Sequence, residues 1–123
     1  MKGAVAVLAV ALAACATDTL LPDQPRTVTG QQIAPYEFHE ECAQLEVGDR
    51  LDFNFEAKIP VNFEVYYKDG IAFIATVSRE NVTEFGAVFH ARSARRYCLR
   101  WEAGPGGTEL AFRVRLLRAA ARS

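Results

Sequence analysis

Leu51-Asp52-Phe53-Asn54-Phe55-Glu56-Ala57 alternates apolar and polar side chains at every step. Successive side chains of a strand point to opposite faces, so this period of two predicts a half-buried strand with Leu51, Phe53, Phe55 and Ala57 inward. Lys58-Ile59-Pro60 interrupts the pattern, after which Val61, Phe63, Val65 and Tyr67 alternate with Asn62, Glu64 and Tyr66. Lys68-Asp69-Gly70 supplies an Asp-Gly turn, a strong short-range hairpin signal. Residues 71–77 are apolar on both faces, which predicts a central strand covered on both sides. Residues 78–84 are polar and turn-like, and 86–91 make a short strand with His90 pointing outward.

Beyond a turn at Ser93-Ala94-Arg95, Tyr97, Leu99 and Trp101 alternate with Cys98, Arg100 and Glu102. Gly104-Pro105-Gly106-Gly107 breaks the chain, and Leu110, Phe112, Val114 and Leu116 then alternate with Ala111, Arg113 and Arg115. The result is seven to eight short strands and no helix after the N-terminal stretch. That pattern predicts an all-β protein, a small antiparallel β-sandwich. Inward Phe, Tyr and Trp give the small domain a sufficient core, supported by one disulfide.

Toward the N-terminus the chain changes character. Lys2 precedes an apolar run from Ala4 to Ala14, too short to span a bilayer but suited to a secretory signal peptide. Leu12-Ala13-Ala14-Cys15 resembles the bacterial lipobox, an aliphatic residue and two small ones before a cysteine. The resemblance implies diacylglycerol on Cys15, cleavage before it and acylation of the new amino group. Two or three acyl chains hold a membrane firmly where one does not. Ala16 follows the cysteine where an aspartate would favour inner-membrane retention, so the expected address is the outer membrane, facing the periplasm. Cleavage after Ala16 is the alternative and would release a soluble periplasmic protein. The expected organisation is a signal peptide over 1–14 and a lipidated N-terminus and flexible tether over 15–36. The sandwich follows over 37–118, with a tail over 119–123. The tether is expected because Pro22, Pro25, Gly30 and Pro35 lie among polar residues with no sustained apolar period.

With Cys15 set apart, Cys42 and Cys98 remain as an even pair, which an exported protein oxidises to a disulfide. Zinc is disfavoured, because the chain has 2 histidines and no paired-cysteine spacing. No cofactor is implied. A net charge of −1 argues neither for nucleic acid nor for an anionic membrane.

Several segments together resemble a GOLD-type β-sandwich: Cys42, Gly48-Asp49-Arg50-Leu51, Val61-Asn62-Phe63-Glu64-Val65, Gly86-Ala87-Val88-Phe89-His90-Ala91 and Arg96-Tyr97-Cys98-Leu99-Arg100-Trp101. The resemblance covers residues 42–117. It departs at Arg95, where glycine is common, and at Glu102, where asparagine is. It implies an interaction module and a bond between Cys42 and Cys98.

No residue pattern marks a catalytic site. His39-Glu40-Glu41-Cys42 is expected as a solvated acidic entry loop rather than a metal site. Serine elbows and phosphate loops are absent from the sequence. Arg96 and Arg100 share the outward face of one strand, and Arg113 and Arg115 that of the next. If those strands pair, the four form a basic stripe suited to anionic lipid or an acidic envelope protein. The expected function is therefore a non-enzymatic, lipid-anchored envelope module. The alternatives are a subunit of an envelope complex or homo-oligomer, pairing through edge strands and an outward Tyr66, or a small hydrolase using Glu37, Glu41 or Asp49.

Overall fold

The computed structural model describes residues 18–119. The expected signal peptide, the expected lipobox with Cys15 and nearly all of the expected tail lie outside them. Six strands follow in chain order: β1 (Arg26–Ile33), β2 (Phe38–Leu45), β3 (Arg50–Asp69), β4 (Ala72–His90), β5 (Arg95–Ala103) and β6 (Thr108–Leu117). All pair antiparallel, in the order β1-β6-β3-β5-β2, with β4 along the remaining side of β3.

β3 explains the architecture. Its first half pairs with β6, from Arg50 opposite Leu117 to Ala57 opposite Leu110. Its second half pairs with β5, from Val61 opposite Ala103 to Tyr66 opposite Cys98. β4 accompanies it along the other side throughout, from Arg50 opposite His90 to Asp69 opposite Ala72. The sheet therefore curls at the middle of β3 until its two halves face each other. Trp101 of β5 stacks on Phe112 of β6 with ring centroids 4.7 Å apart. Phe63 meets Phe55 at 4.9 Å, Phe53 at 5.2 Å and Trp101 at 5.5 Å. Each such ring, fully buried, contributes about 1.5–3 kcal/mol.

Six strands replace the expected seven to eight because the interruption at Lys58-Ile59-Pro60 is a bend inside β3. Those three residues have no paired partner on either side of the strand. The Thr108 hydroxyl stands in, donating to the Ile59 carbonyl and accepting its N–H, both at 2.9 Å. Proline is tolerated where no ladder bond is needed.

Two further expectations are corrected. Arg26–Ile33 of the expected tether is strand β1, laid against β6. Asp18 is fixed as well, accepting from the Gln44 N–H and from Arg96 Nε, each at 2.9 Å. Leu20 and Ile33 are buried. The segment at 71–77 is not central but the start of β4, an edge strand, with residues 71–76 exposed.

Because the sheet folds back, its turns gather at two ends. Asp18, the β2–β3 turn, Gly70-Ile71, the loop at 91–94 and Arg118 lie at one, the exit end. The turns at 34–37, 58–60 and 104–107 lie at the other, the far end. Gly107 is required at the far end: it has φ +65°, and a Cβ there would fall 2.7 Å from the Ile33 carbonyl oxygen.

Candidate functional site

Three groupings carry chemistry. The first is a seam where β1 and β2, the edges of the two facing halves, are joined by side chains. Arg26 Nε lies 2.5 Å from Glu41 Oε1, and His39 Nε2 lies 2.6 Å from Glu41 Oε2. Burial pushes the Glu41 carboxyl up. Hydrogen bonds from His39, Arg26 and Thr19 and the Arg26 charge more than offset this and hold it below the usual range. The expected solvated acidic loop is thus a strand with a buried, fully partnered carboxylate. The sequence hides it because its cation comes from β1, 15 residues earlier.

The second grouping is at the exit end. Asp49 is buried and accepts from the Glu46 N–H at 2.9 Å, the Ala119 N–H at 2.8 Å and Arg118 Nη1 at 2.6 Å. Burial raises its pKa, and these donors together lower it below the ordinary value. Beside it opens a cleft of about 390 Å³, lined by Tyr67, Val77, Phe89, His90, Arg92, Ser93 and Tyr97 among others. Tyr97 donates to the Ser93 carbonyl at 3.0 Å, and the Arg95 guanidinium lies 4.6 Å over the Tyr67 ring. His90 is exposed, as expected.

The third grouping is at the far end. Tyr36 is 70% exposed and holds a left-handed φ of 63°. For a non-glycine residue this backbone state costs about 1–2 kcal/mol and persists only where its surroundings impose it. Here the Tyr36 N–H donates to the Gly104 carbonyl at 3.1 Å, and the Ala103 N–H to the Glu37 carbonyl at 2.9 Å. Phe38, 48% exposed, lies under the Arg100 guanidinium at 4.0 Å, and Ile59 is 44% exposed. Sequence reasoning passes over Tyr36, because it closes the expected tether directly after Pro35; its only signal is an aromatic in a turn.

The basic stripe does not form. β5 and β6 pair with different halves of β3 rather than with each other, so Arg96 and Arg100 lie on one half of the curled sheet and Arg113 and Arg115 on the other. Each pair is also set among acids. Arg100 stands between Glu40 and Glu64, Arg115 opposite Asp52, and Arg96 binds Asp18.

Cys42 and Cys98, directly opposite on β2 and β5, form the disulfide on the outer face. Tyr66 sits beside it and is buried rather than free, capped edge-on by Phe73 at 5.4 Å and donating to the Glu40 carboxylate. Burial and Glu40 push its hydroxyl up to about 12. Glu40 approaches both sulfurs, but these are committed to each other and cannot hold a metal. The three carboxylates considered for hydrolysis are separated: Glu37 is exposed at the far end, Glu41 is held in the seam and Asp49 at the exit end.

No family model and no curated protein matches the chain. Among solved structures, the fold is similar to that of Aeromonas hydrophila PliG, a periplasmic lysozyme inhibitor of g-type lysozyme. That likeness covers 80% of this chain and 96% of the other, with 12% identity and a TM-score of 0.58. A CBM4 structure aligns over 78% of this chain and 72% of its own, with 14% identity and a TM-score of 0.48. At 12% identity, what the PliG structure shares with this chain is the fold alone.

Proposed function

We propose that this protein is a lipid-anchored, non-enzymatic module of the bacterial envelope that binds a protein partner through its far end. The observation that carries the reading is Tyr36. An exposed aromatic held in a left-handed backbone by neighbouring hydrogen bonds is preorganised for contact, and aromatic anchors dominate protein interfaces. Phe38 and Ile59 extend the patch. A shallow groove beside them, about 500 Å³ and lined by Pro35, Ile59 and Gly106 among others, could receive a partner side chain.

The lipobox at Cys15 supports the anchor, and the disulfide at Cys42 and Cys98 supports an oxidising compartment and agrees with the GOLD-type resemblance. The similarity to a periplasmic inhibitor makes a g-type lysozyme the first partner to test. Wild-type protein immobilised on beads should retain an envelope protein, or inhibit that lysozyme, and Tyr36→Ala should lose either activity while melting normally. Equal capture by the variant removes the far end from the reading. Palmitate labelling that persists in Cys15→Ala removes the anchor.

A further inference from the structure

The exit end carries an exposed apolar hairpin tip that the fold covers only in part, Phe73 lying edge-on against Tyr66. Ile71 is 99% exposed and Phe73 59%, and Ile74 is exposed beside them. Val47, in the neighbouring β2–β3 turn, is exposed too. An isolated exposed apolar residue needs no explanation, but four at one end of a small domain do.

Two arginines at the start of β5 fix where this tip stands. Arg96 binds Asp18, the first described residue, at 2.9 Å, and Arg95 approaches Asp69, next to the hairpin turn, at 3.8 Å. The chain's departure point and the apolar tip are thus held by consecutive residues. Only Ala16 and Thr17 separate Cys15 from Asp18, three backbone steps, and an extended chain spans at most about 3.6 Å per step. A lipid on Cys15 therefore brings the exit end within about 11 Å of the bilayer, whatever path those residues take.

We infer that the β3–β4 hairpin tip, Ile71, Phe73 and Ile74, is a second membrane contact that docks the exit end on the same bilayer as the lipid. This rests on the lipid-anchor reading of Cys15. Basic groups are at hand for the headgroups: Arg50, Lys68 and Arg92 are in no ion pair among the described residues, and neither are the nearby acids Asp23, Glu46 and Asp52. Ile71 at the tip is the side chain that enters, while Phe73, packed edge-on against Tyr66 with the Lys68 ammonium 5.2 Å over its ring, presents its exposed edge and that ammonium at headgroup level. Docking at this end turns the far end, with Tyr36, toward the periplasm.

The test uses lipidated protein in vesicles of phosphatidylethanolamine and phosphatidylglycerol, some carrying brominated acyl chains. Ile71→Trp and Tyr36→Trp are compared, against the constant background of buried Trp101. The expected result is a blue-shifted Ile71→Trp emission that loses most of its intensity to bromine, with Tyr36→Trp unaffected. Protein that floats with the vesicles but shows no quenching at position 71 overturns the docking while leaving the anchor intact. A blue shift that follows protein concentration instead of bromine also overturns it, since a second copy then covers the tip. Failure to float, with no palmitate label, removes the anchor and the docking together.

Discussion

The two ends of the sandwich are held by different kinds of bond. At the exit end, carboxylates clamp the chain: Asp18 to Arg96, Asp69 to Arg95, and Asp49 to Arg118 and two backbone amides. At the far end most bonds are backbone to backbone or through the Thr108 hydroxyl, and the one carboxylate among them, Glu109, is exposed, meeting Lys58 at 3.3 Å and Gln32 at 3.1 Å. Protons and salt should therefore loosen the exit end, with its buried Asp49, more than the far end, whose Lys58–Glu109 pair is exposed and contributes little.

The largest perturbation should erase the contrast. The disulfide closes a segment spanning 56 residues of sequence separation, and replacing Cys42 and Cys98 with alanine should cost about 4 kcal/mol on the chain-entropy account. Because β2 and β5 run from one end to the other, both ends should unfold in a single transition. Urea unfolding followed by circular dichroism and by Trp101 fluorescence should give coincident curves with a lowered midpoint.

Asp49→Ala should sharpen the contrast. It strips two amides and a guanidinium of their acceptor, a loss of about 2–3 kcal/mol. Hydrogen exchange should quicken at Glu46 and Ala119, with the Tyr36 and Ala103 amides still protected. Uniform loss of protection would show that the ends are not independent.

Acid should act at the exit end, through Asp49, and at the seam, through Glu41. Glu41 and Asp49 both have carboxyls held below their ordinary values, so the unfolded chain takes up protons at higher pH than the native one. Their stabilisation is present above the ordinary carboxylate range, and is lost as pH falls through it toward their lowered native values. A stability profile from pH 7 downward should decline below about pH 4, and Asp49→Asn should flatten part of that decline. Tyr66 has the opposite sign. Its raised native value, about 12, keeps its contribution intact up to the ordinary tyrosine range and loses it as pH climbs through that range, a limb that Tyr66→Phe should abolish.

The sequence made the inward positions legible wherever a strand is buried on one face. Phe53, Phe63, Trp101 and Phe112 all point where the period of two predicts. It failed where backbone pairing, not side-chain burial, makes the strand. β1 has only Val28 and Ile33 as aliphatics, so its alternation is too weak to separate from a tether. Residues 71–77 failed for the reverse reason: exposed apolar side chains read as core, because hydropathy cannot tell burial from a docking surface. The arginine stripe was a topological error. A glycine-rich turn looks like a hairpin in sequence, but here it crosses from one half of the curled sheet to the other.

The smallest expected change in stability belongs to Tyr36→Gly, and it separates structure from function most cleanly. Glycine adopts a φ of 63° without the left-handed cost of about 1–2 kcal/mol, while its greater unfolded freedom costs about 0.5–1 kcal/mol. The two nearly cancel, so thermal unfolding should shift by no more than about 1 kcal/mol, in the stabilising direction if at all. Partner binding should nevertheless fall as far as in Tyr36→Ala, because the ring is gone. A marked destabilisation would mean that the exposed ring supports the far end itself, and the left-handed backbone would then be a structural necessity rather than a way of presenting tyrosine.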